Sequence, residues 1–506
     1  MNRLEALPWQ GPAAAAQSRT RSFFLGLAVA LIVILAASAC APDLGEKPLP
    51  ESPDSLAATE SFTAPKAGWP DAEWWKAYRD PQLDALIAEA ISGSPDLKIA
   101  AARLREADAS AQEAGAALAP DVTAAGAVQP TRESLNQGFP SLFKPYLPHG
   151  WHEQSTLTGN LDYEFDLFGK NRAGLAAATS DADAAAVDMS EAQIALTTAV
   201  ASAYSDFIRL SADRAADLDV LRIRRDSANL VDERVRQALE ESGELDEANA
   251  RAATAEADVD AIDGQIAHTR NQIAVLLGRG PDRGLAISAP AGVTLKAFGL
   301  PPSLAVDLIG RRPDIVAARL RTQAAESRIA VAHAEYYPNI DLSAYYGVQT
   351  LDVKSLLEKD SMIGQVGPAL HLPIFDGGRI ESGFRTARAS YDEAVANYDK
   401  TLEHALQEVA DAAADSRALA LELAHARAAL AASENAYRVA RLRYQGGLSR
   451  YLDVLTAEDT LVSLKRRVAD LEAEAFSQDV ALVRALGGGF NAPVQSGQPD
   501  NSRRPS

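Results

Sequence analysis

At 506 residues the chain is too long for one ordinary core, which points to several domains or to an elongated repeat architecture. Its formal charge of -20 argues against a phosphate-binding surface and so against a nucleic-acid partner. The single cysteine, Cys40, excludes an intrachain disulfide and any cysteine-built metal site. Hydrophobic residues make up 47% and aromatics only 6%, with alanine prominent, a composition suited to long, slim, closely approaching helices rather than a bulky core.

The chain opens with Arg19 and Arg21, then an apolar run from Phe23 to Ala37, then Ala37-Ser38-Ala39 before Cys40. Basic region, apolar core and small-residue cleavage site in that order predict a signal peptide over residues 1–39. The run is shorter than the ~20 residues that span a bilayer comfortably, so a permanent transmembrane helix is the weaker reading. Loss of 1–39, with three arginines and one glutamate, would lower the net charge further. The stretch resembles a bacterial lipoprotein signal, which implies acylation of Cys40 and, with Ala41 rather than Asp next, an outer-membrane destination. It departs from that pattern where Ala37 replaces the usual Leu. Ala37-Ser38-Ala39 also suits ordinary cleavage, which would leave Cys40 unmodified. Residues 40–93 are then a lipid-anchored N-terminal segment with an equatorial part.

Internal repetition follows. Ser94-Pro95-Asp96-Leu97 opens an Ala-rich helical stretch that stops at Pro120, and Arg312-Pro313-Asp314-Ile315 opens another that stops at Pro338, with the same Pro-to-Pro spacing. Asp166-Leu167-Phe168-Gly169 pairs with Pro373-Ile374-Phe375-Asp376-Gly377-Gly378, and Leu277-Gly278 with Leu486-Gly487. The expected boundaries are a first repeat at 94–278, a Gly/Pro-rich linker at 279–302, a second repeat at 303–487 and a disordered tail at 488–506.

Each repeat holds a run without Gly or Pro, 68 residues between Gly174 and Gly243 and 62 between Gly383 and Gly446. At 1.5 Å per residue each would extend about 100 Å if continuous. Apolar residues recur there at helical spacing, as in Leu196, Val200, Tyr204 and Phe207, a pattern that an antiparallel coiled coil would share.

Between the helical stretches the period falls to two. Leu157, Gly159, Leu161, Tyr163 and Phe165 alternate with Thr158, Asn160, Asp162, Glu164 and Asp166. Ile340, Leu342, Ala344, Tyr346 and Val348 do the same in the second repeat, and a further strand is expected through Val366, Leu370 and Leu372 with Gln365 and His371 opposite. A membrane barrel with a wet lumen and a soluble sheet with one solvated face fit this pattern equally; the signal peptide favours the barrel. Four strands per chain cannot close a barrel, and an open edge in lipid leaves backbone groups unsatisfied, so the chain would have to oligomerise. Segments 129–155 and 350–361 become the outer turns.

These motifs carry a family resemblance over nearly all of the mature chain: Trp74-Trp75 with Asp80-Pro81; Asp166-Leu167-Phe168-Gly169; Arg311-Arg312-Pro313-Asp314-Ile315; Tyr337-Pro338; Leu372 through Arg379; and Tyr444 through Leu448 followed by Leu452-Asp453-Val454. The chain resembles the TolC-like outer-membrane efflux proteins, in particular their lipoprotein branch. The resemblance implies an α+β membrane protein: a trimeric twelve-stranded β-barrel, four strands per chain, continued by a long periplasmic α-helical barrel and built from two internal repeats. It further implies a passive exit duct in the outer membrane, working with a periplasmic adaptor and an inner-membrane transporter, as a homotrimer in contact with outer-membrane lipid.

The long helices must turn back, and Gly446-Gly447 is the natural break, with Ser449 expected to cap the returning helix. Ala238-Leu239 holds the matching place in the first repeat, where the lack of glycine suggests a turn shifted toward Ser242-Gly243. By the resemblance, Asp453 narrows a periplasmic gate, with Glu244 as its first-repeat counterpart, and the tip residues Gly446, Gly447, Leu448 and Leu239 contact the adaptor. The plainer reading is that both carboxylates complement a helix dipole. No nucleophile, phosphate loop or zinc-helix motif appears, so neither an enzyme nor a cofactor or metal site is expected; His149 and His152 are a weak metal hint. A type I protein-secretion duct and a non-transport periplasmic coiled-coil scaffold are the competing functions.

Overall fold

The computed structural model describes residues 42–56, 60–62, 64–135, 140–289, 299–301 and 304–492. The predicted leader and Cys40 lie outside the described residues. In chain order the main elements are helices α1 (Pro81–Gly93) and α2 (Pro95–Ala116), strands β1 (Asp121–Thr131) and β2 (His152–Glu164), and helices α3 (Lys170–Arg236), α4 (Ser242–Leu276), α5 (Leu304–Arg311) and α6 (Pro313–Ala334). Strands β3 (Asn339–Thr350) and β4 (Met362–His371) follow, then helices α7 (Arg379–Gln445) and α8 (Tyr451–Ala485). Element lengths recur: α2 and α6 have 22 residues each, α3 and α7 have 67, α4 and α8 have 35.

The chain divides into two compact units. Among the described residues, the first comprises those of 42–48, 106–182 and 321–395. It holds one antiparallel sheet in the order β1-β2-β3-β4. The strands run past the expected turns, to Thr131 on one side and from His152 on the other, so the first outer turn is shorter than 129–155. Strand β2 also stops at Glu164, and β4 stops before Leu372.

Asp166, expected in the strand, instead starts a helix. Its carboxylate accepts hydrogen bonds from Asn171 N at 3.1 Å and Arg172 N at 2.9 Å, satisfying amides that the first turn of α3 leaves unpaired. Asp376 does the same for α7, accepting from Gly378 N at 3.0 Å and Ile380 N at 2.7 Å. A strap over residues 42–48 lies along α7: Arg388 donates to Gly45 O at 3.2 Å and Tyr391 Oη to Pro48 O at 3.1 Å.

Among the described residues, the second unit comprises those of 49–105, 183–320 and 396–492. Asp80 caps α1 by accepting from Gln82 N at 2.8 Å, and Tyr204 Oη donates to its other oxygen at 2.6 Å. That pairing seats Leu83, Leu86 and Ile87 against Val200, Tyr204, Phe207, Ile273 and Phe476 in the largest apolar cluster. Each such side chain contributes roughly 1.5–3 kcal/mol on burial. The Arg312-Pro313-Asp314 motif is structural: buried Arg312 pairs with Asp314 and Glu408, both at 2.7 Å, and donates to Ala485 O at 3.0 Å. The tail expected to be loose from 488 is ordered through Ala492, because Phe490 and Ala492 pack on Ala184, Val187 and Val316. Residues 493–506 lie outside the described residues.

Candidate functional site

Cross-strand register carries the two-faced character of β2 across the whole sheet. Leu161 pairs with Val122 on one side and Ala344 on the other, and Ala344 pairs with Val366. Since side chains alternate across a strand, Val122, Leu157, Leu161, Ala344, Tyr346, Val366 and Leu370 share one face. Thr123, Asn160, Asp162, Ser343, Tyr345 and Gln365 share the other by the same registers. The apolar face is bare: Val122 is 71% exposed and Val366 73%. Strands β1 and β4 have a partner on one side only. Among the described residues no helix is long and apolar enough to cross a membrane.

At the far ends of α3 and α7 the chain reverses twice. In the second reversal Gly447 takes a left-handed φ of 70°, and Leu448 N donates back to Arg443 O at 2.8 Å, closing the last turn of α7. Leu448 is left 73% exposed. The returning helix is capped by Asp453, which accepts from Arg450 N at 3.2 Å. Ser449 does not cap it, since its buried hydroxyl has no hydrogen-bond partner; the helix starts one residue later than that role requires.

The first reversal has the same geometry without glycine. Ala238 itself takes φ 57°, and Leu239 N donates to Arg234 O at 2.9 Å, so the turn is not displaced toward Ser242-Gly243. Leu239 is 58% exposed. Glu244 lies in the first turn of α4, and its Oε2 is shielded from solvent without a donor. Its hydrogen bond with Glu240, then burial, then the charges of Glu240 and Glu241 push the Glu244 carboxyl up to about 7. Glu240 is held below the usual range by that hydrogen bond and by Arg234, whose Nε donates to Glu240 Oε1 at 3.2 Å. The Arg234 guanidinium also lies 4.6 Å over the ring of Tyr444, a fully buried residue that packs on Tyr451.

Comparison with known proteins decides the family. Residues 86–279 and 304–488 match the family described as outer membrane efflux protein. The chain belongs to this family. It is 29% identical over 456 residues to the multidrug resistance outer membrane protein MdtP of Shigella flexneri, covering 87% of this chain and 91% of that protein. To the toluene efflux pump outer membrane protein TtgF of Pseudomonas putida it is 30% identical over 473 residues, covering 92% and 97%. Among solved structures, the outer membrane protein VceC of Vibrio cholerae superposes with a TM-score of 0.78 at 39% identity, covering 84% of this chain and 100% of VceC.

This efflux protein is therefore an outer-membrane channel subunit that extends into the periplasm, and its family is one of channels rather than enzymes. Several polar residues of the helical part carry no sequence motif. Glu458, 1% exposed, accepts from Ser227 Oγ at 3.2 Å and faces Arg224 at 3.7 Å. Arg466 joins α8 to Asp217 of α3 at 2.6 Å and to Asp258 of α4 at 3.1 Å. Their partners lie hundreds of positions away in the chain, so only the fold reveals them.

Proposed function

We propose that three copies of this chain close a barrel of twelve strands, β4 of each pairing with β1 of the next, as the passive exit duct of a tripartite efflux system. The carrying observation is the sheet: one face apolar and bare, the other polar, both edges open. In lipid each unpaired backbone group costs several kcal/mol, and a closed ring of protomers removes both edges at once.

In this reading Cys40 carries the lipid anchor, the strap over 42–48 leading away from it along α7. Leu448 with Gly446 and Gly447 at one reversal, and Leu239 at the other, meet a periplasmic adaptor that links the duct to an inner-membrane transporter. Asp453 and Glu244 line the periplasmic gate, where a ring of like carboxylates would favour cations. The substrates would be small toxic compounds, the class to which the names of MdtP and TtgF point.

Purified mature protein reconstituted in planar bilayers tests both parts. Expected are a detergent-stable trimer and single channels whose conductance rises, or whose divalent-cation block weakens, in Asp453→Ala. A water-soluble monomer would overturn the barrel, and an Asp453→Ala channel indistinguishable from wild type would remove Asp453 from the gate.

A further inference from the structure

The internal repeat makes contacts inside one copy a template for contacts between copies. Strand β2 leads into α3 through Leu167-Phe168, and β4 leads into α7 through Ile374-Phe375; counted from the strand ends Glu164 and His371, the two pairs hold the same places. The residues that precede β3 and β1 also correspond, Tyr337-Pro338 in one repeat and Ala119-Pro120 in the other. Within the chain the first connection is docked on the second repeat: the Phe168 ring stacks on Tyr337 with centroids 4.5 Å apart and planes 14° from parallel, and Pro338 is buried. The two remaining surfaces have no such cover among the described residues. Ile374 and Phe375 are each 92% exposed, against 40% for Phe168, and Ala119 and Pro120 are both exposed. One chain cannot join these halves, because β1 and β4 stand at opposite edges of the sheet, three strand spacings or about 14 Å apart.

Resting on the reading of the sheet as one part of a closed ring, we infer that Ile374-Phe375 is a clasp that seats on Ala119-Pro120 of the next copy, and that the repeat also fixes the register of the joint between copies. Seating the pair takes from water two large apolar side chains that the single chain leaves bare. In the chain, the last residue of β2, Glu164, lies opposite the third residue of β3, Asp341. The same rule sets the last residue of β4, His371, opposite Thr123, the third residue of β1, in the next copy. The two faces of the sheet give an independent check. This register places Leu370 beside Ala124 and Val366 beside Val128, so the apolar face of one copy continues into that of the next, whereas a slip of one residue would turn it against the polar face. Just past β2, Phe165 N donates to Ile340 O at 2.9 Å, and its counterpart between copies runs from Leu372 N to Val122 O. Pairs alternate from there, which makes Ala369 and Ala125 of the next copy a close, non-hydrogen-bonded pair.

The test uses the full channel in detergent, with light scattering reporting the number of copies separately. Ala125→Cys with Ala369→Cys should join copies by disulfides, seen as covalent dimers and trimers on a non-reducing gel, since such a pair brings Cα atoms to about 4.5 Å. Ala127→Cys with Ala369→Cys, on the same face but diagonal at about 7–8 Å, should not. The native chain, whose one cysteine is Cys40, is the blank. If the Ala127 pair links and the Ala125 pair does not, or if neither links in a protein that is trimeric, the register is overturned while the trimer stands. A monomeric mass removes the ring and everything that rests on it. Ile374→Ser with Phe375→Ser tests the clasp. Neither side chain is buried within the chain, so the subunit should fold as before, while its trimer should dissociate at a temperature that wild type survives. A trimer as heat-resistant as wild type overturns the clasp, and if that variant also binds phosphatidylethanolamine liposomes less well, the pair belongs to lipid instead.

Discussion

The two reversals that end the long helices have one geometry and two chemistries. Both close with a left-handed residue and a hydrogen bond from the following leucine back to an arginine carbonyl, Leu239 to Arg234 and Leu448 to Arg443. The second uses glycine and an Asp453 cap; the first forces Ala238 into the left-handed region and braces it with the Arg234–Glu240 pair. A left-handed non-glycine residue costs roughly 1–2 kcal/mol, and such strain persists where surrounding contacts over-determine it. The same backbone outcome is thus reached once by intrinsic preference and once by tertiary constraint.

The largest way to break this comparison is at the residue both reversals lean on. Tyr444→Ala should destabilise the helical end by about 3–5 kcal/mol, the usual cost of emptying a buried aromatic site, seen as faster amide exchange in both reversals. Tyr444→Phe should cost well under that, because it keeps the buried ring and removes only the hydroxyl beside Glu240. Exchanging the turn residues sharpens the contrast. Gly447→Ala should cost about 1–2 kcal/mol from backbone strain alone, since the space around it is open, whereas Ala238→Gly should gain up to about 1 kcal/mol. Faster amide exchange in residues 445–451 of the first variant and slower exchange in 236–246 of the second would report this; a loss in both variants would contradict it. Smallest of all, Ser449→Ala should change stability by no more than about 0.5 kcal/mol in thermal melts, its hydroxyl having no partner to lose.

Much of the fold was legible because punctuation and period act locally. Pro95 and Pro313 open helices of equal length, the Gly/Pro-free runs become α3 and α7, and the alternation from Leu157 survives as one face of the sheet. Where the reading failed, a contact that the pattern does not encode outvoted it. Asp166 continues the alternation on paper yet caps a helix, because amides of α3 need an acceptor. Ala238 has no local reason to adopt a positive φ. The composition after Gly487 reads as loose, but Phe490 finds an apolar seat on Val187 and Val316. At the site, Asp453, Glu244, Leu239 and Leu448 were within reach of motif and offset. Arg234 and Glu240 were not, since Arg234, which holds Glu240, lies over Tyr444, far along the chain.

In the proposed closed ring, the open margins of the sheet would make each subunit both host and guest, offering β4 to one neighbour and borrowing β1 from another. In such head-to-tail assembly, damage to either margin is not confined to the copy that carries it. A minority of flawed subunits would spoil a majority of rings, so selection on these strands acts through the company a subunit keeps.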